Sequence, residues 1–126
     1  MLRLLLDTHV FLWWCAGSKN LKKPIRSVIA DPNNEVFVSA ASGYEIAIKR
    51  ALGKIEIMDN LAAEVDKEGF MHLPVTFFHA EQAGKLPFHH RDPFDRILIA
   101  QAQAEGLILV TRDASIPDYG VRTMTA

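Results

Sequence analysis

"LLLDTHVFLWW", residues 4–14, sets three leucines against an aspartate and resumes its apolar character three positions later. A strand turns successive side chains to opposite faces, so an apolar run with no alternation belongs to a strand covered on both sides. Leu4, Leu5 and Leu6 therefore predict a buried parallel strand, and Asp7 stands where it ends. A carboxylate at the edge of a core is costly unless something compensates it. Two compensations are open from these residues alone. Asp7 can cap a helix over residues 8–15, or it can hold a cation.

The same grammar repeats outward. Pro24, at a first-turn position, opens a second helix that runs to about Ala30, and "DPNN" at 31–34 is turn chemistry. "EVFVS" predicts a second strand, followed by a helix from Ala40 to Leu52 that Gly53 ends. Asn60 can cap a helix to Glu68; "MHLPV" is a short strand; residues 77–85 are a short helix; "LPFHHRDP" is a loop. A strong helix over 93–105 stops at Gly106, "LILV" at 107–110 is a fully apolar strand, and "VRTMT" at 121–125 is the last. Apolar strands alternating with helices predict an α/β fold: a central parallel sheet covered on both faces, in one domain over residues 1–126. In such sheets ligands bind beyond the carboxyl ends of the strands, where the strand order reverses. The residues directly after strands then matter most: Asp7 after the first, and Asp113 in "TRD" after "LILV".

Composition bounds the function. The chain has 126 residues, 49% hydrophobic and 23% charged, which suits a globular domain with a real core and argues against disorder. No apolar run approaches ~18 residues, so no membrane span is expected. Arg3, the leucines and "CAG" outline a signal peptide, but Asp7 and His9 interrupt its apolar centre, and the stretch reads as the first structural element. One cysteine, Cys15, builds no disulfide framework and suits a reducing cytoplasm. A net charge of −1 argues against a protein that binds nucleic acid through a broad basic field. Basic residues do cluster, at Lys19–Lys22–Lys23–Arg26, Lys49–Arg50–Lys54 and in "HHRDPFDR" at 89–96.

Further acids join Asp7. In "SAASGYEIAIKRAL", Tyr44, Ile48, Ala51, Leu52 and Ile55 form an apolar stripe at helical spacing. At ~100° per residue Glu45 lies about 80° from the stripe's centre, at the rim, facing either a cleft or its i,i+4 neighbour Lys49. In "RDPFDR", Asp92 is placed to cap a helix, Pro93 to open it and Asp95 to close the capping turn, both acids favouring the helix dipole. Capping alone does not need two acids, and Asp95 can point across the helix start toward the sheet's end. Each acid has an adequate local explanation. Local explanations do not say why two strand ends and two helix faces turn carboxylates toward one edge. Three or four carboxylates meeting there would repel and raise one another's pKa, and a divalent cation relieves that. Oxygen-only donors suit Mg²⁺ or Mn²⁺ rather than zinc.

These stretches resemble a PIN-domain ribonuclease of the kind that forms the toxin of a VapBC-type toxin–antitoxin pair. The resemblance runs the whole chain, through "LLLDTHVFLWW", "VSAASGYEIAIKRALGKI", "LPFHHRDPFDRILIAQAQAEGLILVTRD" and "VRTM" in that order. It implies a three-layer α/β/α, Rossmann-like fold. It also implies a Mg²⁺- or Mn²⁺-dependent endoribonuclease whose acidic quartet is Asp7, Glu45, Asp95 and Asp113, with Asp92 ranked below them. Thr8 and Thr111 match polar positions near the metal, while Lys49, Arg91, Arg96 and Arg112 are candidate phosphate contacts. Transfer or ribosomal RNA as substrate, inhibition of translation, a separate VapB-like antitoxin, a homodimer and a cytoplasmic location follow from the same resemblance. His9, Phe11 and Trp13 are then helix residues behind the site, with Trp13 and Trp14 assigned to core or dimer surface rather than to base stacking.

Three rivals stay in view. A haloacid-dehalogenase-like phosphatase also carries an Asp after its first strand, but wants a second Asp two residues on, where this chain has His9. A receiver-like domain wants an acid pair and a late lysine that are not visible. A non-catalytic RNA- or protein-binding module would keep the surface without the chemistry.

Overall fold

The computed structural model describes residues 1–55, 60–88, 92–113 and 116–126, with 117 and 118 described by backbone alone. Among the described residues, β1 (Arg3–Leu6), β2 (Glu35–Ser39), β3 (Met71–Leu73), β4 (Ile108–Thr111) and β5 (Thr123–Thr125) form one sheet. Its order is β3-β2-β1-β4-β5, and every neighbouring pair is parallel. The helices are α1 (Thr8–Ala16), α2 (Lys23–Ala30), α3 (Ala40–Ala51), α4 (Leu61–Lys67), α5 (Phe77–Lys85) and α6 (Pro93–Glu105), with a 3-10 turn over Ile116–Tyr119.

The leucine run explains the layers. Leu4 and Leu6 join Val10 and Phe11 of α1, Ile25 and Ile29 of α2, and Val65 of α4. Leu5 faces the other way, into Leu98, Ile99 and Ala102 of α6 with Leu109 of β4. All three leucines are fully buried, each stabilising the fold by about 1.5–3 kcal/mol through apolar area removed from water. A run apolar on both faces is what a central strand between two helical layers requires.

Turn chemistry sets the ends. Asp7 caps α1 by accepting the Val10 N–H, and Gly17 ends it at φ 61°, a left-handed conformation that glycine adopts without strain. Asp92 caps α6 with Pro93 at its start, and α6 spans the expected 93–105. From β1 the chain steps outward through β2 to β3, then returns to the far side of β1 as β4. The reversal therefore lies between β1 and β4, whose ends are tied by the Asp7 N–H donating to the Val110 carbonyl at 3.1 Å.

Three expectations shift. β4 runs 108–111 and so includes Thr111, while β5 is shorter than "VRTMT" suggests. More consequentially, the apolar stripe of α3 is not its buried face. Tyr44 and Leu52 are 65% and 64% exposed, and the helix instead buries Ala41, Ser42 and Ile46. No linker separates β2 from α3, and Ser39 caps the helix at the strand's end. The helix thus lies over the end of the sheet, in contact with α1 and α6. That rotation turns Glu45 further inward than a rim position.

Candidate active site

Between the carboxyl ends of β1 and β4 opens a cleft of about 340 Å³. Asp7, Glu45, Asp95 and Asp113 all line it, and Asp92 joins them. A wider hollow of about 600 Å³ beside Phe88 and Ile97 carries none of these carboxylates. The four elements that contribute acids are the end of β1, the second turn of α3, the first turn of α6 and the segment after β4.

Asp7 is 8% exposed. One of its oxygens accepts the Val10 N–H at 2.8 Å, and the Thr111 hydroxyl also bonds its carboxylate. Burial pushes its pKa above the ordinary 3.8. The Thr111 and Val10 hydrogen bonds and nearby His9 pull the other way, and Glu45 adds to the rise. Among the described residues no basic nitrogen pairs with it. Cap and cleft wall are thus one residue, and its capping bond, ordinarily about 1 kcal/mol, leaves the buried charge only partly compensated.

Glu45 is held more fully. Its side chain is 13% exposed, accepts the Thr8 hydroxyl at 2.7 Å and sits 3.2 Å from the Lys49 ammonium. Thr8 in turn lies 3.0 Å from the Ser42 hydroxyl, and both are buried. Thr111 joins the two strand ends, bonding Asp7 while accepting the Asp113 N–H at 3.1 Å. Asp92 accepts the N–H groups of Phe94 and Asp95 at 2.9 and 3.1 Å. The structure brings the four expected acids, Asp7, Glu45, Asp95 and Asp113, to one cleft, and Asp92 lines it with them.

The basic candidates divide. Lys49 is turned to Glu45. Arg112 does line the cleft, but its guanidinium also donates to the Ala126 and Asn20 carbonyls and lies 4.4 Å from the centroid of the Trp13 ring. Arg96, expected as a phosphate contact, is buried instead. It donates to the carbonyls of Ala83, Leu86 and Pro87 and stacks on Phe88, fastening the end of α5 to α6. Its place one residue after Asp95 turns it 100° away from the cleft. Arg91 lies outside the described residues.

Two cleft residues escaped the sequence reading. His9 and Trp13 line the wall rather than standing behind it. The signal was available: they are an i,i+4 pair beginning two residues after Asp7, so they share a helix face. Phe11, by contrast, is core, as is the edge that Trp14 turns to Phe70.

The donors are all oxygen, from carboxylates on separate elements, and one of them is a buried carboxylate whose charged form is disfavoured. That set fits Mg²⁺ or Mn²⁺. In the present geometry no three of these acids bring ligand atoms within 4.8 Å of one another; among the described residues only Cys15, Glu64 and Glu68 do.

Fold and site together define a class: three-layer α/β/α proteins with an acidic cleft where a parallel sheet reverses its strand order. Residues 4–121 match the PIN domain family, and the chain belongs to it. Ribonuclease VapC22 of Mycobacterium tuberculosis is 32% identical over 127 residues, spanning 94% of this chain and 93% of that protein. Among solved structures, VapBC2 from Rickettsia felis, bound to a DNA fragment from its promoter, has a similar chain at a TM-score of 0.72. That match has 14% identity and covers 98% of each chain. DNA-bound VapBC from Salmonella typhimurium matches at 0.67, with 17% identity over 99% of this chain and 98% of that one. Membership sets aside the phosphatase and receiver readings. Among the described residues no helix is long and apolar enough to cross a membrane.

Proposed function

We propose that this chain is a divalent-cation-dependent endoribonuclease and the toxin of a toxin–antitoxin pair. The observation that carries the reading is the meeting of carboxylates from four separate elements in one cleft at the strand reversal, with the most buried of them, Asp7, under-compensated. Asp7, Glu45, Asp95 and Asp113 would hold Mg²⁺ or Mn²⁺, with Asp92 at the margin. A cation bound there lowers the pKa of an attacking water and neutralises charge on a phosphodiester. The chain's own residues prepare the place. Thr8 and Lys49 orient Glu45; Thr111 aligns Asp7 with the segment that carries Asp113; the Asp92 cap fixes the turn that presents Asp95. Near-neutral net charge favours a substrate gripped locally at this cleft over one bound along a basic face. Transfer or ribosomal RNA in the cytoplasm fits that size of contact, and cutting either halts translation.

The relatives' structures are toxin–antitoxin complexes, which supports a small VapB-like partner for this chain. An antitoxin cation entering the acidic cleft would exclude cation and substrate together. A homodimer is also part of the proposal, though not through "FLWW": Phe11 is buried, and Trp13 and Trp14 are half-buried. Among the described residues, the exposed large apolar side chains include Tyr44 and Leu52, and Phe77, Phe78 and Phe88. Mapping cuts in total RNA with the Mn²⁺-loaded protein and with Asp7→Asn tests the activity. Discrete cuts made by the parent alone support it. Identical patterns from both proteins would remove the cleft from the chemistry. Light scattering reads the dimer.

A further inference from the structure

We propose that Trp13, held by the Arg112 guanidinium, is a stacking platform for an unpaired nucleobase beside the phosphodiester in the acidic cleft; the inference rests on RNA being the substrate there. Trp13 lines the same cleft as Asp7 and Asp113. The centroid of His9, one turn earlier, is 6.1 Å away at a tilt of 41°, so the two rings form one aromatic edge. Arg112 lies 4.4 Å from the indole centroid and is itself tied down by two backbone carbonyls, those of Ala126 and Asn20. The indole, half-buried against the core, is backed by a cation that is not free to swing and still lines the cleft.

Its neighbour shows what a structural tryptophan looks like here. Trp14 donates its indole N–H to Glu68 at 2.9 Å and packs on Phe70 with centroids 5.8 Å apart. Trp13 also packs on the core that holds Phe11, but unlike Trp14 it lines the acidic cleft as well. A cation held by carboxylates grips a phosphate but reads nothing of the base, and a net charge of −1 gives little long-range pull on a strand. Aromatic stacking supplies affinity of the missing kind, tolerates any base, and is denied to bases already stacked in a duplex. The platform thus selects unpaired nucleotides and sets where along them the cleft closes.

Trp14→Phe leaves Trp13 as the sole indole and lies outside the cleft. In that background a single-stranded oligoribonucleotide, with Ca²⁺ replacing Mg²⁺, should quench Trp13 fluorescence saturably, and a duplex of the same sequence should not. Trp13→Leu should raise KM for the unpaired substrate about ten-fold while kcat stays within about two-fold, and Trp13→Phe should recover most of the loss. An absent quench, or a fall in kcat at unchanged KM, overturns the platform and makes Trp13 a mere support for α1. If the parent cleaves RNA and Trp13→Leu keeps its KM, the platform fails and the nuclease stands. If the parent cleaves nothing yet unpaired RNA still quenches, the nuclease fails and the platform stands.

Discussion

At the N-terminal end of α1 the carboxylates of Asp7, Glu45, Asp92, Asp95 and Asp113 line a cleft; at its C-terminal end Cys15, Glu64 and Glu68 bring ligand atoms within 4.8 Å of one another. By distance alone the second cluster is the better cation site. Its chemistry says otherwise. Burial, then Glu64 and Glu68, push the Cys15 thiol up to about 12, and a thiol is in any case a soft donor that does not suit Mg²⁺ or Mn²⁺. The Trp14 indole N–H already occupies Glu68. At the cleft the acids come from separate elements at a sheet reversal, and the buried one makes no salt bridge among the described residues. Proximity records packing, whereas an under-compensated buried charge at a ligand-binding position records a use.

Substitution gives the largest separation. Asp7→Asn removes a charge, keeps the shape and keeps the acceptor for the Val10 N–H, so the fold should survive while RNA cleavage falls by more than about a hundred-fold. Expressed without an antitoxin, the parent should arrest growth and Asp7→Asn should not. Glu64→Gln should cleave as the parent does. A dead Glu64→Gln beside an active Asp7→Asn would reverse the comparison outright.

Cation binding sharpens it. In millimolar Mn²⁺ the melting temperature of the parent should rise by several degrees, since a ligand at a hundred times its Kd adds about 2.7 kcal/mol. Asp7→Asn should lose most of that rise and Cys15→Ser none of it. A rise abolished by Cys15→Ser would move the cation to the other end of α1.

How far the sequence carries depends on the scale of the interaction. The leucine run, the Pro93 start, the glycine stops and the strand–helix alternation are local or periodic signals, and they placed the elements and the acids of the cleft. The facing of α3 escapes the sequence because Tyr44 and Leu52 carry the apolar weight, while the helix buries Ala41, Ser42 and Ile46. Small residues such as Ala41 and Ser42 have little hydrophobic signal. Arg96 was misjudged for a different reason. Its partners are backbone carbonyls at the end of α5 and just beyond it, and no side chain in the sequence advertises a carbonyl cage. Trp13 was hidden by Trp14, since adjacent identical residues invite one role and helical geometry gives them two.

A smaller change is expected at the cleft's margin. Asp92→Asn keeps a good cap, because asparagine accepts the same N–H bonds, so α6 and Asp95 stay in place. Cleavage should drop about ten-fold or less. A loss equal to that of Asp7→Asn in the same cleavage assay would raise Asp92 to a full member of the set.

The smallest effect needs no cation at all and distinguishes the two ends of α1 by pH. Burial raises the pKa of Asp7 above 3.8, so there is a window in which the folded carboxyl keeps a proton that the unfolded chain has released. There the folded state binds more protons, and stability falls as pH rises through the window. Above it the cost of the buried charge is fully present. Asp7→Asn lacks that charge and should melt a few degrees higher than the parent at neutral pH in EDTA. Below 3.8 both side chains are neutral, and the difference should shrink toward zero. The Cys15 shift runs in the same direction, but its window lies between 9.0 and about 12, so Cys15→Ser should show no such pH-dependent gain across the acid and neutral range. Melting curves of the three proteins across that range decide it. If the gap between Asp7→Asn and the parent is the same in acid as at neutral pH, Asp7 carries no buried charge cost, and the feature that separates the cleft from the Cys15 cluster is lost.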